Sequence, residues 1–168
     1  FLKNYNITDE WIKLFPINYK TIEEINNKYE IKDCDYTVIH IRKGDFLKFS
    51  SHNIKNNDFF IFLNSVKKLL NKKVFFVSDS DFSEDYKSKV KQIISDSSIV
   101  YINGGNEFSI HALMRLSTLL ITSNSMFSLS AALLKNKDSL TIIPKVFFGQ
   151  DFKNHNKAIN SLSDWFIY

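Results

Sequence analysis

His40, Arg42, Lys43 and Asp45 stand close together in the run Thr37-Val-Ile-His-Ile-Arg-Lys-Gly-Asp-Phe46. The run begins as a β-branched strand and ends in a loop that Gly44 frees to turn. A guanidinium is a planar fork that can grip a phosphate or diphosphate at two points. The chain holds only two arginines, Arg42 and Arg115, among 22 Lys and Arg. A position that keeps arginine in so lysine-rich a chain is a candidate for needing that fork. His40 and Arg42 alternate with Ile39 and Ile41, so they share one face at the strand end. His40 can donate a hydrogen bond to a bound anion or orient a neighbour. Asp45 can orient Arg42, accept a proton or cap a turn. The plainer alternative is a surface arginine at a strand end.

Two more segments carry polar groups after apolar runs. Val77-Ser78-Asp79-Ser80-Asp81 places two carboxylates at i, i+2. They suit the Asp-x-Asp metal site of a nucleotide-sugar transferase, a magnesium phosphatase with a nucleophilic aspartate, or a loop that recognises a base or ribose. An Asp/Ser N-cap ahead of Ser83-Glu84-Asp85 explains them equally well. His52, His111 and His155 have no ligand spacing that would complete a metal site. Ser123-Asn-Ser-Met-Phe-Ser128 offers Asn124, Ser125 and Ser128 where a helix opens, either as anion ligands or as ordinary caps. Asn103-Gly-Gly-Asn106 permits a tight turn but lacks the G-x-G-x-x-G spacing of a dinucleotide fingerprint.

These segments need a frame that brings strand ends together. Predicted strands are Tyr36–Arg42, Lys73–Ser78, Ser98–Ile102, Leu119–Thr122 and Leu140–Ile143. Helical patterns lie near Asn57–Leu70, Ser83–Ile94, Glu107–Ser117 and Ser125–Lys135. Phe60, Leu63, Val66, Lys67 and Leu70 repeat with the period of a helix laid on a sheet. Strands apolar on both faces, alternating with helices, predict an α/β fold with a doubly wound parallel sheet. Ligands in such sheets bind beyond the carboxyl ends of the strands, where His40–Asp45, Ser78–Asp81 and Ser123–Ser128 all fall. Residues 1–35 read as an N-terminal appendage and 36–168 as the domain. Within the appendage, Trp11, Ile12, Leu14 and Phe15 form an apolar cluster before Pro16, and Thr21-Ile-Glu-Glu predicts a capping box that opens a short helix through Lys28.

Composition narrows the class. A hydrophobic fraction of 44% with sixteen Phe fits a packed core and excludes a disordered chain. A net charge of +4, without a Lys/Arg block, suits a phosphorylated ligand or an anionic membrane surface and gives no basis for nucleic-acid binding. Cys34 stands alone, so no disulfide forms within the chain, and a reducing compartment is expected. No apolar run approaches the roughly 20 residues of a membrane-spanning helix.

In this order and spacing the segments resemble glycosyl transferase family 11, the α-1,2-fucosyltransferases. His40-Ile-Arg-Lys-Gly-Asp-Phe46 is similar to the family's H-x-R-R-G-D-Y motif, with Lys43 in place of the second arginine. Phe76-Val-Ser-Asp-Ser-Asp81 resembles F-S-D-D. Leu113-Met114 followed by Ile121-Thr-Ser-Asn-Ser-Met-Phe-Ser128 and Ala131-Ala132 resembles the L-M … I-x-x-N-S-T-F-S-W-W-A-A block, with Leu129-Ser130 for the tryptophan pair. Ile143-Pro-Lys145 with Phe147-Phe148 is similar to P-K-x-W-F.

The resemblance implies the Rossmann-like, donor-binding half of a GT-B glycosyltransferase and inverting transfer of L-fucose from GDP-fucose without a metal or other cofactor. Under it Arg42 holds the diphosphate with His40 and Lys43 beside it, and Arg42 and Asp45 are the catalytic candidates. Ser78, Asp79 and Asp81 lie toward the guanine and ribose, and Asn124, Ser125 and Ser128 near the phosphates. Implied partners are the nucleotide-sugar donor, a galactoside acceptor in a bacterial surface glycan such as a lipopolysaccharide O-antigen, and an N-terminal half of the same enzyme, because the family's G-G-L-G-N-Q motif has no counterpart here. The implied location is cytoplasmic, peripheral on the inner membrane. A GDP-binding module without transferase activity, and an Asp-x-Asp metal-dependent transferase or phosphatase, are the alternatives.

Overall fold

Short runs of Val, Ile, Phe and Leu form the strands, and the amphipathic runs between them form helices that return the chain to the same sheet edge. The structure, a computed structural model, describes residues 9–31, 35–43, 56–135, 138–145 and 166–167. Its elements are α1 (Asp9–Leu14), α2 (Tyr19–Tyr29), β1 (Thr37–Ile41), α3 (Asn56–Val66, continued by a 3₁₀ turn to Leu69), β2 (Lys73–Ser78), α4 (Glu84–Ile93), β3 (Ser98–Asn103), α5 (Glu107–Leu116), β4 (Leu119–Ile121), α6 (Met126–Leu133), β5 (Leu140–Ile143) and β6 (Phe166–Ile167). The predicted doubly wound α/β fold is what is found. Helix α2 starts before the predicted Thr21 cap. Asn18, in an extended conformation, accepts from the Lys20 amide at 2.9 Å and takes the capping role.

The strands lie in the order β3-β2-β1-β4-β5-β6, and every neighbouring pair is parallel. The winding therefore reverses between β1 and β4, which opens a crevice at their carboxyl ends. Alternate residues of each strand feed two cores. Val38, Phe75 and Leu120 pack with Ile25 of α2, Leu113 and Met114 of α5 and Ala131 of α6. Ile39, Val74, Phe76 and Ile121 pack with Phe59 and Leu63 of α3 and with Tyr86 and Val90 of α4. Tyr36, just before β1, is buried and donates its hydroxyl to the Leu113 carbonyl at 3.0 Å, tying α5 to the central strand.

Helix α5 opens where Gly104 and Gly105 take positive φ values of 63° and 113°, a turn that a side chain would strain. Asn106 caps it, accepting from the amides of Phe108 at 2.9 Å and Ser109 at 3.2 Å. Asn106→Ala is expected to lower stability by about 1 kcal/mol, read as a shift in the urea midpoint at unchanged slope.

The far end of α6 is fastened at the amino edge of the sheet. Arg115 is nearly buried and donates from Nε to the Leu134 carbonyl at 3.2 Å, where the last turn leaves carbonyls without helical partners. The second of the two arginines is thus structural. Buried Lys135 donates to the Ser117 carbonyl and, at 3.1 Å, to the Ser117 hydroxyl. Burial pushes its ammonium down to about 7 from the usual 10.5. Between those values the unfolded chain binds the proton and the folded one does not. The destabilisation is therefore full below pH 7, and it is relieved as pH rises toward 10.5. Urea unfolding at pH 7 and pH 9 should show stability rising more steeply in the wild type than in Lys135→Met, by on the order of 1 kcal/mol per pH unit.

Candidate active site

The parallel register of β1 and β2 pairs Ile41 with Ser78. Arg42 and Asp79, one step beyond the ladder, therefore stand side by side. The Arg42 guanidinium meets Asp79 Oδ2 through Nη1 at 3.1 Å, and the Lys43 amide donates to Asp79 Oδ1 at 2.9 Å. One carboxylate thus holds both the arginine head and the backbone that follows it. The two side chains keep 30% and 26% of their exposure, so the pair contributes little to stability, on the order of 0.2–1 kcal/mol. Its consequence is orientation.

On the other side of β1 the register pairs Ile39 with Ile121 of β4. His40 then lies beside the chain leaving β4, and its Nδ1 is 2.8 Å from Ser123 Oγ. Both residues are 4% exposed. Burial pushes the imidazole down to about 4. Asp79 opposes that shift and Arg42 adds to it. His40 is thus neutral at pH 7. Its ring lies 6.1 Å from that of Phe127, which packs against the core beneath α5 and α6.

Ser123, Asn124 and Ser125 are all buried, as is Ser128. The Ser125 side chain makes no capping bond to α6, and the Ser125 amide turns back to the Ser123 carbonyl at 2.8 Å. Ser128 directs its hydroxyl to the Ser125 carbonyl at 3.2 Å, inside the first turn. The loop therefore presents the amino end of α6 at the crevice, with its partial positive charge, beside His40.

Lys43 follows the alternation to the opposite face. Its ammonium sits 4.3 Å from the centre of the Phe82 ring and 4.4 Å from that of Tyr86, with the Asp81 carbonyl at 3.5 Å. Such stacking holds a cation in place, here on the aromatic cluster over α4, away from the His40 face. Ser78 accepts from the Ser80 amide at 3.2 Å, and Asp81 accepts from the Asn103 amide group. Among the described residues no three His, Cys, Asp or Glu side chains gather as a metal site.

The crevice thus joins His40, Arg42, Asp79, Asn124 and Ser125 from three strand ends. Lys43 and Asp81 stand on its α4 side. Asp45 lies outside the described residues, as do Cys34, His52, His155 and the pair Phe147-Phe148. Sequence reasoning reaches the Ser123–Ser128 segment but does not select Ser123 itself. The available signal is a hydroxyl just past β4, level with a histidine on β1. A cleft of about 190 Å³ opens at the end of β3, between Glu24 and Tyr29 of α2 and the Gly105–Asn106 turn. No helix among the described residues is long and apolar enough to cross a membrane.

Basic and hydrogen-bonding groups thus gather at the switch point of a parallel sheet, the place where α/β folds of this kind take their ligands. The chain belongs to glycosyl transferase family 11, whose family model matches residues 2–168. It is by family a glycosyltransferase. No curated protein and no solved structure matches it.

Proposed function

We propose that the chain binds GDP-fucose and transfers L-fucose to a galactoside hydroxyl, forming an α-1,2 linkage with inversion and without a metal. The observation that carries this reading is the Arg42–Asp79 pair beside His40 at the mouth of the β1–β4 crevice. The leaving group is a diphosphate, and negative charge grows on it as the sugar–oxygen bond breaks. Arg42 offers a fixed positive charge to that oxygen, and the amino end of α6 adds a dipole. That Asp79 is already paired with Arg42 favours an electrostatic site over one in which it binds a metal ion.

The acceptor oxygen attacks the anomeric carbon from the face opposite the diphosphate, as inversion requires, through an oxocarbenium-like state. The new carbon–oxygen bond forms while the old one breaks, and the electron pair of the old bond leaves with GDP. The hydroxyl proton passes to a base, for which Asp45 is the proposed residue. The cleft by the Gly105–Asn106 turn offers the nucleoside end an apolar wall in Tyr29 and Ile110, with polar groups in Glu24 and Asn106. The acceptor is a bacterial surface glycan, and the enzyme works in the cytoplasm, peripheral at the inner membrane.

The test is incubation with GDP-fucose, GDP-mannose or UDP-galactose and a β-galactoside, followed by measurement of released nucleotide and fucosylated product, with and without EDTA. Product from GDP-fucose alone, unchanged by EDTA, is expected. GDP binding by calorimetry without any transfer would make the chain a binding module instead. Loss of activity in EDTA would return the Asp79/Asp81 metal reading.

A further inference from the structure

We propose that Ser123 is a positioning residue for His40: its hydroxyl donates to Nδ1, holds the neutral ring in the Nε2–H tautomer, and so makes His40 a hydrogen-bond donor to the departing diphosphate. The inference rests on the donor reading above for the identity of the anion, but the tautomer stands on geometry alone. The contact is 2.8 Å, between two residues 83 apart in sequence, and both are buried. It bridges β1 and the loop after β4, the two walls of the crevice.

The direction of the bond follows from where each proton can go. Among the described residues Ser123 Oγ has no hydrogen-bond partner other than His40 Nδ1. If Nδ1 carried the proton and donated to Oγ, the serine proton would be left without an acceptor in a buried place, at a cost of about 1–3 kcal/mol. With Ser123 donating, the hydroxyl proton is satisfied and the ring proton moves to Nε2. That nitrogen lies on the far side of the ring from Ser123, and no described residue partners it. The ring stays uncharged because burial disfavours the imidazolium, so the tautomer is what sets its role. An Nδ1–H ring would present a lone pair from Nε2 and would repel a diphosphate oxygen. An Nε2–H ring donates to it. The hydroxyl of a loop residue therefore decides whether His40 helps or opposes departure of the nucleotide.

Nitrogen NMR of histidine-labelled free protein, with His40→Gln to assign the signals, reads the tautomer without any substrate. The expected spectrum has Nε2 protonated in the wild type and a mixture of tautomers in Ser123→Ala. In kinetics, Ser123→Ala should lower kcat about tenfold while KM moves less than about threefold, because the bond matters most as charge develops on the diphosphate. Ser123→Thr keeps the hydroxyl and should restore both the spectrum and most of kcat. An Nδ1–H signal in the wild type overturns the proposal, and so does a Ser123→Ala enzyme with unchanged kcat. The spectrum is taken without donor, so the tautomer it reads does not depend on whether GDP-fucose is the substrate.

Discussion

Arg42→Ala should lower turnover of GDP-fucose about a hundredfold to a thousandfold, the effect of removing one preorganised donor from a site where anionic charge develops. The residue has the features that such a donor needs. It stands one step beyond β1 at the switch point, its head is oriented by Asp79 at 3.1 Å, and its side chain keeps part of its exposure. Arg42→Lys restores the charge but neither the planar fork nor the paired geometry, so it should recover only part of the rate. Steady-state kcat for the three proteins, with circular dichroism to confirm equal folding, makes the comparison. Near-normal turnover in Arg42→Ala would sink the assignment.

Asp79→Ala should cost about thirtyfold to a hundredfold in kcat/KM, and the loss should vanish in the background of Arg42→Ala. The carboxylate grips Arg42 Nη1 with one oxygen and the Lys43 amide with the other. Its removal takes away a contact that orients the guanidinium toward the leaving group. If Asp79 acts only through Arg42, the double variant is no worse than Arg42→Ala alone. If Asp79 instead contacts the guanine or ribose directly, the two losses multiply. The cycle therefore separates a carboxylate that orients an arginine from one that reads the nucleoside. Asp79→Asn refines the answer. It can still accept from the Lys43 amide but carries no charge to hold Arg42, so it should fall between wild type and Asp79→Ala. Melting temperature should hardly move in any of these, because a partly exposed ion pair contributes little to stability.

Most of the sheet was legible because β1, β2, β4 and β5 are buried on both faces and read as largely apolar runs. Lys73–Ser78 and Leu140–Ile143 match the observed strands end to end. Departures occur where a residue's partner is distant or competes locally. Tyr36 has a strand-like side chain, yet β1 begins at Thr37, and the tyrosine is held by its hydroxyl bond to α5. Asn18 displaces the Thr21 cap because its side-chain oxygen, upstream, reaches the free amide of Lys20. The two-residue strand β6 gives no signal in the sequence, since Phe166–Ile167 is too short to show a period. At the site, alternation along β1 puts His40 and Arg42 on one face. It cannot disclose that Asp79 engages Arg42, because that follows from the β1–β2 register. Nor can it single out Ser123 from the other hydroxyls of its loop. Lys43 is the instructive case: sequence adjacency groups it with Arg42, while the pleat sends its ammonium to Phe82 and Tyr86.

The pairing of Thr37 with Leu119 and of Ile39 with Ile121 has a consequence for how the molecule comes into being. The crevice has no local precursor. Its two walls belong to segments that meet only after the whole α3–β2–α4–β3–α5 excursion has been laid down, so early, short-range folding events cannot create it. Any ligand that needs both His40 and Ser123 must wait for that closure, and it recognises the finished sheet alone. By mass action such a ligand then draws the chain toward its native state, so whatever the crevice holds would also act as a selective brace for the folding of the chain.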